Sequence, residues 1–112
     1  MKITWSKDAG DELIKIISYI KDNSGKINAE KIYNKITNEV KKVSGNAAGR
    51  RISPLLIGLG ITDIHQINIH PWIIYYRADQ NEMKIISIID NRRNLDEILY
   101  EKVINGSFFS TK

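Results

Sequence analysis

The sequence predicts an α+β domain in the order β-α-α-β-β-β-α: an N-terminal strand, an antiparallel helical hairpin packed on an antiparallel β-sheet, and a C-terminal helix. Three observations carry this reading. Apolar residues recur at helical spacing through residues 7–43, β-branched and aromatic residues dominate 61–90, and the helical period returns after Asn94.

The elements follow in order. "KITW" reads as a short strand with Ile3 and Trp5 on one face. Ser6 is placed to cap a helix whose first turns carry Asp8, Asp11 and Glu12, the sign favoured at a helix N-terminus. Leu13, Ile16, Ile17 and Ile20 form its buried stripe. "DNSGK" breaks the helix, with Gly25 as the positive-φ residue. A second helix buries Ala29, Ile32, Tyr33, Ile36, Val40 and Val43 and ends near Ser44-Gly45. The break is short, so the two helices form a hairpin with Lys21, Lys31, Lys35, Lys41 and Lys42 outward.

Residues 46–60, "NAAGRRISPLLIGLG", read as a loop. Three strands follow, "ITDIHQINI", "WIIYYRAD" and "MKIISIID", with connections short enough for a meander. Ile61 and Ile64 are three apart whereas Ile67 and Ile69 are two apart, which a β-bulge near 64–66 would reconcile. Asn94 and Glu97 then stand at the N-cap and N3 positions of a capping box, worth about 1 kcal/mol. Leu95, Ile98, Leu99 and Val103 form the last buried stripe, with Tyr100 at its margin, and Asn105-Gly106 ends the helix. Residues 107–112 are a short tail whose Phe108 and Phe109 either fold back or bind a partner.

At 112 residues the chain is one domain, large enough for a core of its own. It has no cysteine and two histidines, so disulfides and thiolate metal sites are excluded and no metal or other cofactor is implied. No apolar run reaches the roughly 20 residues of a membrane span, and "MKITWSKDAG" lacks a signal-peptide core. A soluble, cytoplasmic protein without a membrane partner is expected. The net charge of +4 is uneven: residues 1–60 hold 11 basic and 6 acidic groups, residues 61–112 hold 6 and 7. The basic half suits nucleic acid or an acidic protein, or is simply a solvated helix surface.

Across about residues 3–105 the order and several motifs resemble the RelE/ParE superfamily of bacterial toxins from type II toxin–antitoxin modules. The resemblance rests on "W-x3-A-x3-L-x2-I-x2-YI" from Trp5 to Ile20, Gly49-Arg50, "PWIIYYR" at 71–77 and above all "IIDNRRNLDEIL". That last segment looks like the aspartate–double-arginine–helix ending of ParE-like members. The resemblance implies a plasmid-stabilisation type of module, a cognate antitoxin bound in a heteromeric complex, and one of two activities. The RelE branch cleaves messenger RNA in the ribosome, whereas the ParE branch is known for poisoning DNA gyrase. An inactive member that only binds antitoxin is a third possibility.

Departures from the family pattern favour the ParE-like reading. Thr62-Asp63 stands where many members carry an arginine–glutamate pair, Ile73 replaces an arginine after the aromatic of the third strand, and Ser53-Pro54-Leu55 replaces a proline–glutamate–leucine loop. Asp90 stands where ribonuclease members tend to present histidine or tyrosine. Metal-free RNA cleavage needs a base, an acid and cations around the phosphate. One preorganised donor is worth roughly 3–4 kcal/mol, so losing two arginines is costly. If the chain is nonetheless a ribonuclease, His65, Arg50, Arg77 and Arg92 are its candidate catalytic residues. For binding a target or antitoxin, the candidates are Arg50, Arg51, Trp72, Arg77, Asp90, Arg92 and Arg93.

Several of these have blander readings. His65 is a general base or a half-exposed strand residue, and His70 is a turn residue. Trp72 stacks on a base or covers the edge of the core. Tyr75 and Tyr76 point to opposite faces, so one at most lines a cleft. Arg92 and Arg93 are permanently charged and resist burial unless paired. Either one bridges to Asp90 with the other solvated, or at least one is presented to a partner while Asp90 orients it.

Overall fold

The computed structural model describes residues 1–109, with the backbone alone at Phe109. Its strands are β1 (Lys2–Trp5), β2 (His65–Ile69), β3 (Trp72–Ala78) and β4 (Glu82–Asp90), and its α-helices are α1 (Lys7–Ser24), α2 (Lys26–Val43), α3 (Pro54–Gly58) and α4 (Leu95–Ile104). Sheet order is β1-β4-β3-β2. The meander β2-β3-β4 is antiparallel, as its short connections require, and β1 joins β4 in parallel, making the sheet mixed.

Local chemistry sets the helix ends. Ser6 accepts a hydrogen bond from the Ala9 amide at 3.1 Å and so caps α1. Gly25, at φ 90°, separates α1 from α2, a backbone conformation that a side chain would strain. Asn94 caps α4 by accepting from the Glu97 amide at 3.3 Å. The return half of the box runs between side chains, Asn94 Nδ2 donating to Glu97 Oε2 at 3.1 Å.

Two apolar layers hold the domain together. On one face of the sheet Ala9, Leu13, Ile36 and Val40 of the hairpin pack on Ile67, Ile74, Tyr76, Met83, Ile85 and Ile88. On the other, Leu56 of α3, Leu99 of α4 and Phe108 pack on Ile73, Tyr75, Ile86 and Ile89. Phe108 therefore folds back, held in a 3-10 turn over Ser107–Phe109. The Phe109 side chain and the last three tail residues lie outside the described residues.

Beyond the end of β1, Glu12 takes over part of that strand's role. Its carboxylate accepts the Ile88 amide at 3.2 Å and the Ser87 hydroxyl at 2.9 Å, and pairs with Lys102 of α4 at 3.1 Å. α1, β4 and α4 are thereby tied at one carboxylate.

Four expectations need correction. Tyr33, placed on the buried stripe of α2, is 46% exposed. Residues 46–60 are not a plain loop: a 3-10 helix covers Ser44–Gly49, and Ser53 and Pro54 start α3 as N-cap and first helical residue. The strand expected from Ile61 begins at His65, where an Ile52–His65 bridge pairs residues 51–53 with its start. No bulge lies at 64–66. The irregularity is in β4, where Tyr75 pairs with Ser87 but Tyr76 with Ile85. Ile86 is the extra residue, and it sends its side chain to the face opposite Ile85.

Candidate functional site

The double arginine is built as a tight corner. β4 ends at Asp90, opposite Trp72 of β3, and the Asn91 amide donates to the Pro71 carbonyl at 2.7 Å. Asp90 then folds the chain around its own carboxylate. Oδ1 accepts the Arg92 amide at 2.9 Å and Arg92 Nε at 3.0 Å, while Oδ2 accepts Arg92 Nη2 at 2.6 Å. This fork geometry is the one a guanidinium makes best with a carboxylate. The hydrogen bonds from Arg92 hold the Asp90 carboxyl below the ordinary carboxylate range, and Asp90 in turn raises the Arg92 pKa. The Arg93 amide donates to the Asp90 carbonyl at 3.2 Å.

This corner forms one wall of a groove of about 760 Å³ between the tip half of the hairpin and the end of the sheet. Ile16, Tyr19 and Ile20 of α1, Ile32 of α2 and Trp72 supply apolar surface. Lys15, Lys31, Arg92 and Arg93 supply positive charge, and among the described residues the one acid in the lining is Asp90. The result is an apolar floor with a cationic rim.

The other candidates lie elsewhere. His65 is buried rather than half-exposed, because its ring stacks on Tyr76 at 5.2 Å and Nδ1 lies 2.9 Å from the Arg50 carbonyl. Arg77 projects on the opposite face of the sheet from Tyr76. It pairs with Asp63 at 2.9 Å and donates to the Phe108 carbonyl. Arg50 and Arg51 line a separate depression of about 270 Å³ with Glu39, Gln66 and Asn68. Trp72, 8% exposed, belongs to the core and also borders the groove. Of the four ribonuclease candidates, His65 and Arg50 meet at the Arg50 backbone carbonyl. Arg77 is on the other face, and Arg92 stands at the opposite end of β3.

Tyr75 and Tyr76 are both fully buried. Tyr76 Oη donates to the Ala47 carbonyl at 2.7 Å, and burial pushes its pKa up to about 12. Tyr75 Oη has no hydrogen-bond partner among the described residues, and burial, then the nearby Asp96 charge, raises its pKa. Among the described residues no cluster of three or more His, Cys, Asp or Glu could hold a metal, and no helix is long and apolar enough to cross a membrane.

The groove-lining residues of α1 and α2 were not among the sequence-derived candidates. Ile16, Ile20 and Ile32 read as ordinary core. The usable signal was that both apolar stripes continue almost to the turn at Gly25, leaving the tip apolar whatever the sheet covers.

Residues 3–95 match the family described as the ParE toxin of type II toxin–antitoxin systems, parDE. Comparison with curated proteins finds no match. Among solved structures, the chromosomal ParDE toxin–antitoxin system from P. aeruginosa is similar with a TM-score of 0.65 and 20% identity, covering 80% of this chain and 95% of that one. The YoeB dimer from Staphylococcus aureus gives a TM-score of 0.49 and 23% identity, covering 78% and 92%. With most of its length matched to that family, and with its fold shared by a ParDE structure, the chain belongs to the ParE toxin family of type II toxin–antitoxin systems.

Proposed function

We propose that this chain is a growth-inhibiting toxin that acts by binding DNA gyrase and is neutralised by a cognate antitoxin seated in the groove beneath the hairpin tip. The observation that carries the antitoxin reading is the composition of that groove: apolar surface from Ile16, Ile20, Ile32 and Trp72 rimmed by Lys15, Lys31, Arg92 and Arg93. An acidic amphipathic segment complements both features, placing apolar side chains on the floor and carboxylates against the rim. Asp90 already engages Arg92, so it offers an incoming carboxylate an oriented guanidinium.

Gyrase as target comes from the family likeness. It is supported by the dispersal of the ribonuclease candidates: His65 and Arg77 lie on opposite faces of the sheet, and Arg92 lies beyond its far end. Acid–base catalysis on one phosphate needs its groups within hydrogen-bond reach of that phosphate. Expression of the chain alone should arrest bacterial growth, and co-expression of the small acidic product of the adjacent reading frame should relieve it. DNA breaks and the SOS response should precede any fall in translation, and the purified protein should inhibit gyrase supercoiling. Codon-position cuts in ribosome-bound messages with gyrase untouched would overturn the target. Harmless expression of folded protein would overturn the toxin reading.

A further inference from the structure

A second surface lies at the other end of α2 and is not explained by the groove. β1 is an edge strand, bonded among the described residues only to β4. The Lys2 amide donates to the Asn81 carbonyl at 3.0 Å and the Ser6 amide to the Ile85 carbonyl at 2.8 Å. In a parallel ladder alternate residues bond the same neighbour, so Lys2, Thr4 and Ser6 face β4. Ile3 and Trp5 therefore direct their amide and carbonyl groups to the open side. Alongside that edge runs a cleft of about 600 Å³, lined by Met1, Ile3 and Trp5 from the strand and by Thr37, Val40, Lys41 and Lys42 from α2. Met1 is 52% exposed there.

An open edge is a template for another strand, and folded proteins ordinarily blunt it with charge or cover. Here the strand's own side chains are apolar or hydroxylic after Lys2. The charge sits instead on the facing helix and is of one sign, since no acidic residue lines the cleft among the described residues. That sign decides the occupant. Two copies of this chain pairing through β1 would bring Lys2, Lys41 and Lys42 of each against the other, whereas an extended segment carrying Asp or Glu would be attracted. Alternating donors and acceptors at strand spacing match a peptide backbone and not a sugar–phosphate chain.

The geometry points to β1 as a strand-addition site for an acidic, extended segment of the same antitoxin whose other part occupies the groove beneath the hairpin tip. This rests on the antitoxin reading above, and it adds a second point of attachment at a different end of α2. Two linked contacts make the second one intramolecular, so each strengthens the other without new chemistry. An initially disordered antitoxin is suited to such a wrap.

Amide hydrogen exchange on the unaltered chain, free and bound to the antitoxin encoded beside it, tests the site. The Ile3 and Trp5 amides should exchange at least about tenfold more slowly in the complex, while the Thr4 amide, bonded to β4, is slow in both states. Ile3→Pro should weaken antitoxin binding about tenfold or more beyond Ile3→Ala, since both lose the Ile3 side chain packed on the hairpin-face core and only proline also loses the outward donor. The Lys41→Glu/Lys42→Glu pair should weaken it by an amount that shrinks as salt rises. If Ile3→Pro fails to fold, the exchange data and the lysine pair still decide. A complex that forms with Ile3 and Trp5 unprotected overturns strand addition and leaves the groove reading standing. Self-association abolished by Ile3→Pro would assign the edge to a second copy instead, and the absence of any complex would overturn both readings.

Discussion

The two faces of the sheet are covered in different ways. On the second face Ile73, Tyr75, Ile86 and Ile89 lie beneath α3, α4 and Phe108, and the sheet surface there is sealed. On the hairpin face Ile74, Tyr76 and Ile85 are equally buried, yet the same layer opens at Trp72 and Asp90 into the cationic groove. Where the covering helices end relative to the sheet thus decides where a lined groove opens. The second face contributes stability; the hairpin face contributes stability along its length and, at its tip, the groove proposed to receive a partner.

The largest expected effect breaks the sealed face. Leu99 is fully buried, and Leu99→Ala should cost roughly 2–5 kcal/mol in urea unfolding, lowering toxicity through loss of folded protein. A smaller effect separates the faces by two adjacent tyrosines. Tyr76→Phe removes the short hydrogen bond to the buried Ala47 carbonyl, leaving it the Arg50 amide at 3.5 Å, and should cost about 1–2 kcal/mol. Tyr75→Phe deletes a hydroxyl that has no partner among the described residues, and should leave stability unchanged or raise it by up to about 1 kcal/mol. Equal losses in both variants would mean that the Tyr75 hydroxyl is bonded after all and that the two faces do not differ in this way.

The smallest effect concerns pH. Because Arg92 lowers the Asp90 pKa in the folded chain, the pair contributes stability that is present above the unfolded carboxyl value of about 3.9. That contribution is lost as pH falls through the lower folded value. The carboxyl resonance of Asp90 should therefore titrate below those of unpaired aspartates, and Arg92→Ala should bring it back up. The change in melting temperature should be slight, since Arg92 is 67% exposed at its side chain.

Much of the fold was legible from period alone. The stripes at Leu13–Ile20 and Ala29–Val43 gave the hairpin, Asn94 and Glu97 marked the start of α4, and Asn105-Gly106 marked its end. Residues 46–60 were harder because α3 is too short to show a period, although Ser53-Pro54 carried its start signal. The bulge was misplaced because "IISIID" is apolar on both faces, and such a strand does not reveal its register. At the site, the pairing of Asp90 with one of the two arginines followed from the chemistry of adjacent guanidiniums, in both the bland and the functional reading. The groove did not, because it depends on the reach of the hairpin tip over the end of the sheet, which no local pattern encodes. Arg77 and His65 looked alike as candidate groups, and only the pleat placed them on opposite faces.

The groove beneath the hairpin tip is the proposed seat of the antitoxin. Calorimetric titration of the adjacent-frame antitoxin into the wild-type chain and into the Arg92→Ala/Arg93→Ala variant tests it most directly, with melting temperatures measured in parallel. The variant should bind at least about tenfold more weakly, with a smaller difference at high salt and a melting temperature close to wild type. Unchanged affinity with unchanged melting temperature would contradict it, reducing the double-arginine corner to a solvated turn.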